Sequence, residues 1–198
     1  MTGIPSQTFL PAAELARLRT ASLEPFNRLA LLADACRLNA LSAIKRAGSG
    51  HPGSCLSAMD ILCYLYFLEM NTLTVGLGSP HRDAYFSSKG HDVPALYAVL
   101  VAAGILPEEQ LLRLRRLGGL PGHPEVTVPG IEANSGSLGM GISRARGMAW
   151  AKRLLGHGGR VFVLTGDGEL QVGQNWEAMQ AAAHQKLGNL YVLVDHNK

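Results

Sequence analysis

Apolar residues recur at helical spacing through residues 25–47, with Leu29, Leu32, Cys36, Ala40 and Ala43 on one stripe. Pro25 suits a first helical turn, so the pattern predicts a helix from Pro25 to about Ala47. Upstream, residues 1–24 read as a lead-in arm with a short helix around Ala12–Thr20. The run GSGHPGS (48–54) breaks the long helix. The next stretch, about Cys55–Leu68, is apolar nearly all round and predicts a buried helix. Residues 71–82 read as a loop, and AYFSS (84–88) as a short strand ending at KGHD. A helix then runs to Ala103 and another over Pro107–Leu117. GGLPGHPE is a loop, and GSLGMGIS leads into a small-residue helix ending at Leu155. RVFVLT (160–165) and LYVLVD (190–195) are continuous apolar runs on either side of a helix over Gln174–Lys186. Two buried strands flanking a helix make a βαβ unit. The fold class is therefore α/β, a parallel sheet with helices on both faces.

The 198 residues allow one sizeable domain, read as 25–198 behind the 1–24 arm. Apolar residues make up 47%, enough for a core. Eighteen Lys and Arg against 15 Asp and Glu leave only +3, which argues against a nucleic-acid partner. Arg113, Arg115 and Arg116 read as a solvated helix face, with attraction of an anionic substrate as the alternative. Cys36, Cys55 and Cys63 have no Cys-x-x-Cys spacing and fit reduced, buried thiols of a cytoplasmic protein. The first thirty residues carry no signal-peptide pattern, and Asp60 and Glu69 interrupt the most apolar stretch, so no membrane span is expected.

Chemistry concentrates in TGDGELQVGQNWEA (165–178), where an apolar strand breaks on Gly-Asp-Gly. Ligands of open parallel sheets sit outside the carboxyl ends of the strands. Asp167 stands at one such end and Asn197 at the next. Their oxygens suit a hard cation such as Mg2+, which completes its shell with phosphate and water. A tight turn in which Asp167 merely caps the following helix reads equally well from this motif alone. Three histidines tilt the reading: His51 in SGHPG, His91 in SKGHD and His123 in LPGHPE, all in glycine-rich breaks between apolar helices. Imidazoles bind phosphate oxygens and move protons near neutral pH, so convergence on one site is expected. SGSLGMG and GGLPG offer backbone N–H groups to an anion, the first at a helix N-terminus.

SGHPG, SKGH, PGHPE, SGSLGMGIS and the stretch from Gly166 to Asn197 together resemble the thiamine-diphosphate-binding N-terminal part of the transketolase family, in order and spacing, over about residues 28–198. SKGHDVPALYAVL and GDGELQ are most similar to the split form, in which two chains make up the enzyme. The resemblance implies the thiamine-diphosphate-binding fold and a thiamine diphosphate cofactor held with Mg2+, Ca2+ and Mn2+ being alternatives. Asp167 and Asn197 are then the metal ligands. Gly166, Gly168 and Glu169 lie near the diphosphate, Gly136 and Leu138 contact the cofactor, and His91 lies between diphosphate and substrate. His51 and His123 face the substrate. The implied reaction moves a two-carbon ketol unit from a ketose, or its phosphate, to an aldose. The cofactor is the electron sink and the protein orients and moves protons.

Three departures qualify the resemblance. Val172 stands where the family has a Glu belonging to a carboxylate network at the subunit interface, with Glu177 retained nearby. Met140 replaces a usual Gln. The sequence stops at Lys198, short of the family's usual end, and these residues hold no pyrimidine-binding domain. Two readings follow: a C-terminal transketolase subunit carrying that half is the expected partner, in a dimer of heterodimers acting on sugar phosphates, or these residues are a fragment of a longer chain. The alternatives are a specialised thiamine-diphosphate ketol or acyl transferase of secondary metabolism, a non-catalytic partner subunit, and an unrelated nucleotide-binding α/β module. Helices Cys55–Leu68 and 138–155 carry more apolar surface than one domain easily hides, which also predicts assembly.

Overall fold

Pro25 and Gly48 bound the longest helix. In the computed structural model, which describes residues 9–196, α1 spans Ala12–Arg19 and α2 spans Pro25–Ala47. Glu24 caps α2 by accepting the Asn27 N–H at 3.0 Å, and Gly48 closes it in the left-handed conformation (φ 74°) that a glycine adopts without strain. All five residues of the predicted stripe are buried. So is Asn39, whose amide exchanges two hydrogen bonds with the Leu10 backbone (2.7 and 2.9 Å) and ties the arm to α2.

The chain divides into two compact units. The first comprises the chain up to Glu69 together with His91–Gly122, and the second Met70–Gly90 together with the chain from His123 onward. In the first unit, α5 (Val93–Ala102) is buried at every position and packs against α1, α2 and α3. Helix α3 (Pro52–Tyr64) runs into a π-helical turn at Leu65–Glu69. The sequence predicted it buried all round, but Tyr64 and Leu68 are exposed. The three cysteines are buried thiols outside any disulfide. A hydrogen bond with Cys36 and burial push the Cys63 thiol up, so it behaves as an inert apolar group.

The helix predicted over Pro107–Leu117 contracts to α6, Glu108–Leu111. Arg115 takes φ 57°, its N–H turns back to the Leu120 carbonyl at 2.8 Å, and Leu117 is left exposed. The arginines there are not a helix face. Arg113, Arg115 and Arg116 donate to the carbonyls of Leu117, Gly122 and Arg46, the last at the C-terminus of α2.

The second unit holds α4 (Thr72–Val75), inside the predicted loop, and a parallel sheet ordered β1-β2-β3: Ala84–Ser87, Val161–Gly166 and Leu190–Asp195. Helices α7 (Gly141–Leu154) and α8 (Gly173–His184) bring Ile142, Ala145, Ala149, Ala178 and Ala182 together with Phe86, Val161 and Val163 of the sheet. β2 is buried through Thr165, as its apolar run predicts. β3 is not: Tyr191 and Val194 are exposed, because among the described residues β3 pairs on one side only. No helix among the described residues is long and apolar enough to cross a membrane.

The start of the sheet is clipped by Asp83. Its Oδ1 accepts the Arg160 N–H at 2.6 Å, and its Oδ2 accepts from the Arg160 guanidinium at 2.7 Å and the Asn71 N–H at 3.1 Å. Burial pushes this carboxyl up, but the bonds from Arg160 and Asn71 outweigh burial and hold it below its ordinary value. A carboxyl lowered on folding stabilises fully above its unfolded-state value, and the contribution is lost as pH falls through the lowered value. Asp83→Asn should therefore cost about 1–3 kcal/mol at pH 7. The gap to wild type should shrink at pH below about 4. Thermal melts of both chains at pH 7 and pH 3 check this; an equal gap at both would show that the charge contributes nothing.

Candidate functional site

The carboxyl ends of the strands place three carboxylates at one rim of the second unit, and the surroundings give each a different task. β2 ends at Gly166, opposite Asp195 of β3 in the register. Asp167 then caps the 3-10 turn Gly168–Gln171, its Oδ1 accepting the Gly168 N–H at 2.9 Å. Its side chain stays 43% exposed, with His196 Nε2 3.8 Å from Oδ2. The Asp167 N–H donates to the Asp195 carbonyl at 3.2 Å, joining the ends of β2 and β3. Glu169 instead turns inward and is buried, and Asp195 is buried against Lys89. Asn197, the second expected metal ligand, lies outside the described residues. Among those described, no cluster of three His, Cys, Asp or Glu is arranged to hold a metal. A hard cation at Asp167 would thus draw on amide, backbone or phosphate oxygens for the rest of its shell.

In SKGH, Ser88 donates to Glu169 and accepts the Gly141 N–H at 3.1 Å. Lys89 Nζ bonds Asp195 Oδ2 at 2.5 Å. Gly90 lies against the loop before α7: a Cβ there would meet the Gly136 nitrogen at 2.7 Å. The sequence reading used only His91 of this motif. Ser88, Lys89 and Asp195 were missed, although a Ser-Lys pair directly after an apolar strand is a visible signal for polar partners at that strand's end.

The glycine loop is closely backed. Gly139 takes φ 84°, and a Cβ on it would lie 2.4 Å from Val172 Cγ1. At Gly136 a Cβ would lie 2.9 Å from His123 Cδ2, so the His123 ring packs on this loop. Leu138 is 47% exposed, whereas Ser135 Oγ is buried with no hydrogen-bond partner. Two N–H groups that the sequence offered to an anion are committed within the chain: Gly139 to Glu169 at 2.6 Å and Gly141 to Ser88. Met140 is the residue before α7, and Glu177 is exposed on α8.

In the first unit, His51 precedes α3 and His91 precedes α5. Their ring centroids are 4.9 Å apart, and His91 Nε2 lies 2.9 Å from Ser54 Oγ. Two of the three histidines therefore meet within one unit, while His123 belongs with the glycine loop of the other. Depressions of about 410–500 Å³ on the second unit are lined by Arg153, His157 and Lys186, by Leu77, Glu132 and Met148, and by Met179, Leu187 and Val192; Asp167 and the glycine loop line none of them.

An open Asp167 carboxylate between Gly166 and Gly168, a loop with no room for a Cβ at Gly136 or Gly139 and an orphaned Ser135 hydroxyl form a set of groups that fits a diphosphate with a hard cation. Comparison with known proteins points the same way. Residues 29–198 match the family described as transketolase, thiamine diphosphate binding domain. The chain is 42% identical over 168 residues to a transketolase of Pongo abelii, covering 84% of this chain and 27% of that protein. It is 44% identical over 160 residues to one of the subunits of the apulose-4-phosphate transketolase of Actinobacillus succinogenes, covering 80% of this chain and 58% of the relative. It superposes on a Pichia stipitis transketolase variant in complex with xylulose 5-phosphate with a TM-score of 0.74 at 30% identity, over 94% of this chain and 27% of the other. The chain thus spans about a quarter of the length of the full transketolases and little more than half of the Actinobacillus relative. With the family's motifs at the strand ends and its model matched over most of the length, the chain belongs to the transketolase family and contains its thiamine diphosphate binding domain.

Proposed function

We propose that this chain is the diphosphate-binding half of a cytoplasmic, thiamine-diphosphate-dependent transketolase-like enzyme. It would transfer a two-carbon ketol unit from a ketose phosphate to an aldose phosphate, complete only with a chain carrying the pyrimidine-binding half, in a dimer of heterodimers. The observation that carries the reading is Asp167, held open at the end of β2 in a chain of this family. The Actinobacillus relative, named as one subunit of its enzyme, supports the two-chain form. Exposed Tyr64 and Leu68 in the first unit, and Trp150, Leu154 and Leu155 in the second, supply apolar surface for a partner. When bound, thiamine diphosphate supplies the electron sink for C–C cleavage.

In this reading Asp167 and Asn197 hold Mg2+, and Gly136, Leu138, Gly166 and Gly168 line the diphosphate, with Glu169 behind them. His51 and His123 hold substrate hydroxyls and move protons. His91, oriented by Ser54 and beside His51, serves both diphosphate and substrate. Calorimetric titration of the reconstituted enzyme with thiamine diphosphate, ATP and NAD tests the reading. Binding of thiamine diphosphate alone is expected, and preference for a nucleotide would overturn it.

The histidines separate binding from turnover. His51→Ala and His123→Ala should each lower kcat by about 10²–10⁴-fold with cofactor affinity near wild type. His91→Ala should lower both. Steady-state rates with a ketose phosphate donor and an aldose acceptor, beside cofactor titrations, read the split; wild-type rates in both His51→Ala and His123→Ala would make those rings structural.

A further inference from the structure

Glu169 was expected beside the diphosphate, yet its carboxylate is buried and directed into the protein. Oε1 accepts the Gly139 N–H at 2.6 Å and the Ser88 hydroxyl, and Oε2 accepts the Gly166 N–H at 3.2 Å. Its partners are therefore the glycine loop, the residue after β1 and the last residue of β2. The order of donors is fixed. Ser88 accepts from the Gly141 N–H and so passes its own proton toward Glu169. Only an acceptor at Glu169 lets both loop amides, Gly139 and Gly141, be satisfied. The Glu169 main chain is fixed as well: its carbonyl accepts the Asn175 amide at 2.7 Å and the Val172 N–H at 3.0 Å. Val172, from the same turn, packs against the Gly139 backbone.

We propose that Glu169 is a positioning residue: with Val172 it clamps the glycine loop at Gly139 and ties it to the Gly-Asp-Gly turn, so that loop and turn present one preorganised cradle to a diphosphate. The cofactor consequence rests on the functional reading above; the clamp itself does not. A loop that leaves no room for a Cβ at Gly136 or Gly139 gains nothing from small residues unless something else fixes its backbone. A carboxylate accepting from three donors does this with charge-assisted bonds, stronger than neutral ones. Glutamine replaces it only in part: with its carbonyl oxygen on the Gly139 N–H and the Ser88 hydroxyl, its NH2 group faces the Gly166 N–H and pushes the clamp apart.

The test uses Glu169→Gln, Ser88→Ala and Val172→Ala in the full chain, alone and reconstituted with its partner. In the chain alone, amide hydrogen exchange at Gly139, Gly141 and Gly166 should speed at least about tenfold in Glu169→Gln, with the amides of residues 161–164 in β2 unchanged. In the reconstituted enzyme the Kd for thiamine diphosphate at saturating Mg2+ should rise about 10–100-fold. At saturating cofactor kcat should fall by a smaller factor than Kd rises. Ser88→Ala should act in the same direction, and the double variant should be no worse than the poorer single, since both break one network. Val172→Ala should raise Kd by a smaller factor. Unchanged loop exchange in both Glu169→Gln and Ser88→Ala would overturn the clamp, and so would a lowered kcat with unchanged Kd. Faster loop exchange with unchanged Kd would overturn its link to the cofactor. If wild type binds no thiamine diphosphate while the exchange effect persists, the functional reading fails and the clamp stands.

Discussion

Asp167→Ala is expected to abolish Mg2+-dependent binding of thiamine diphosphate by the assembled enzyme, a loss of at least about a hundredfold in affinity. Of the carboxylates at the strand ends, Glu169 is spent on backbone and hydroxyl donors and Asp195 on Lys89. Asp167 alone of these three has a side chain open to a ligand. It also caps its turn through Gly168, so alanine by itself does not separate the two tasks. Asp167→Asn does. The amide oxygen can still accept the Gly168 N–H, but the charge that a divalent cation needs is gone. A pure cap predicts that Asn behaves as wild type, whereas a metal ligand predicts that Asn falls with Ala. Calorimetric titrations with Mg2+, Ca2+ and Mn2+, each repeated after chelation, decide it. Wild-type affinity in Asp167→Asn would remove Asp167 from the metal site.

Much of this was legible in the chain, for identifiable reasons. The limits of α2 follow from Pro25 and Gly48, two residues whose backbone preferences act locally. β2 follows from its unbroken apolar run, since a strand buried on both faces tolerates nothing else. Asp167 stands directly after β2, at the strand end where a parallel sheet meets its ligands, and its side chain is exposed. What failed depended on neighbours distant in sequence. LYVLVD has the composition of a buried strand, but its exposure depends on what pairs with it, and Tyr191 and Val194 remain open. The Pro107–Leu117 helix stops at Leu111 because Arg115 bonds Leu120, a contact no periodicity reports. Val172 is the sharper case. As sequence it is only a missing carboxylate; in the structure its methyl groups back Gly139. Glu169 shows the converse: a residue type suited to ligand contact is consumed by the fold, because three donors converge on it.

The Lys89–Asp195 pair carries the largest stability effect we expect. Both side chains are almost fully buried, 5% and 7% exposed, and Nζ meets Oδ2 at 2.5 Å. Lys89 follows β1 and Asp195 ends β3, with β2 between them in the sheet. The Lys89 stem crosses the end of β2, its Cδ 3.5 Å from where a Gly166 Cβ would stand. Removing one member of such a buried pair costs about 3–5 kcal/mol. That is a large share of the roughly 5–15 kcal/mol that holds a domain together. Lys89→Met should therefore lower the denaturant midpoint sharply. Replacing both members by apolar residues, Lys89→Met with Asp195→Leu, should recover most of the loss, because the penalty arises from keeping one charge of the pair buried and not from the absent attraction. Denaturant unfolding of wild type, single and double variants measures it, and a single variant no less stable than the double would show that the pair is not what holds these strand ends. Cofactor affinity should follow a different order. The Asp195 carbonyl accepts the Asp167 N–H, so the backbone at the end of β3 sets the position of the metal-side turn. The double variant restores stability without restoring the bridge over Gly166, and its thiamine diphosphate Kd should stay raised while its unfolding midpoint returns.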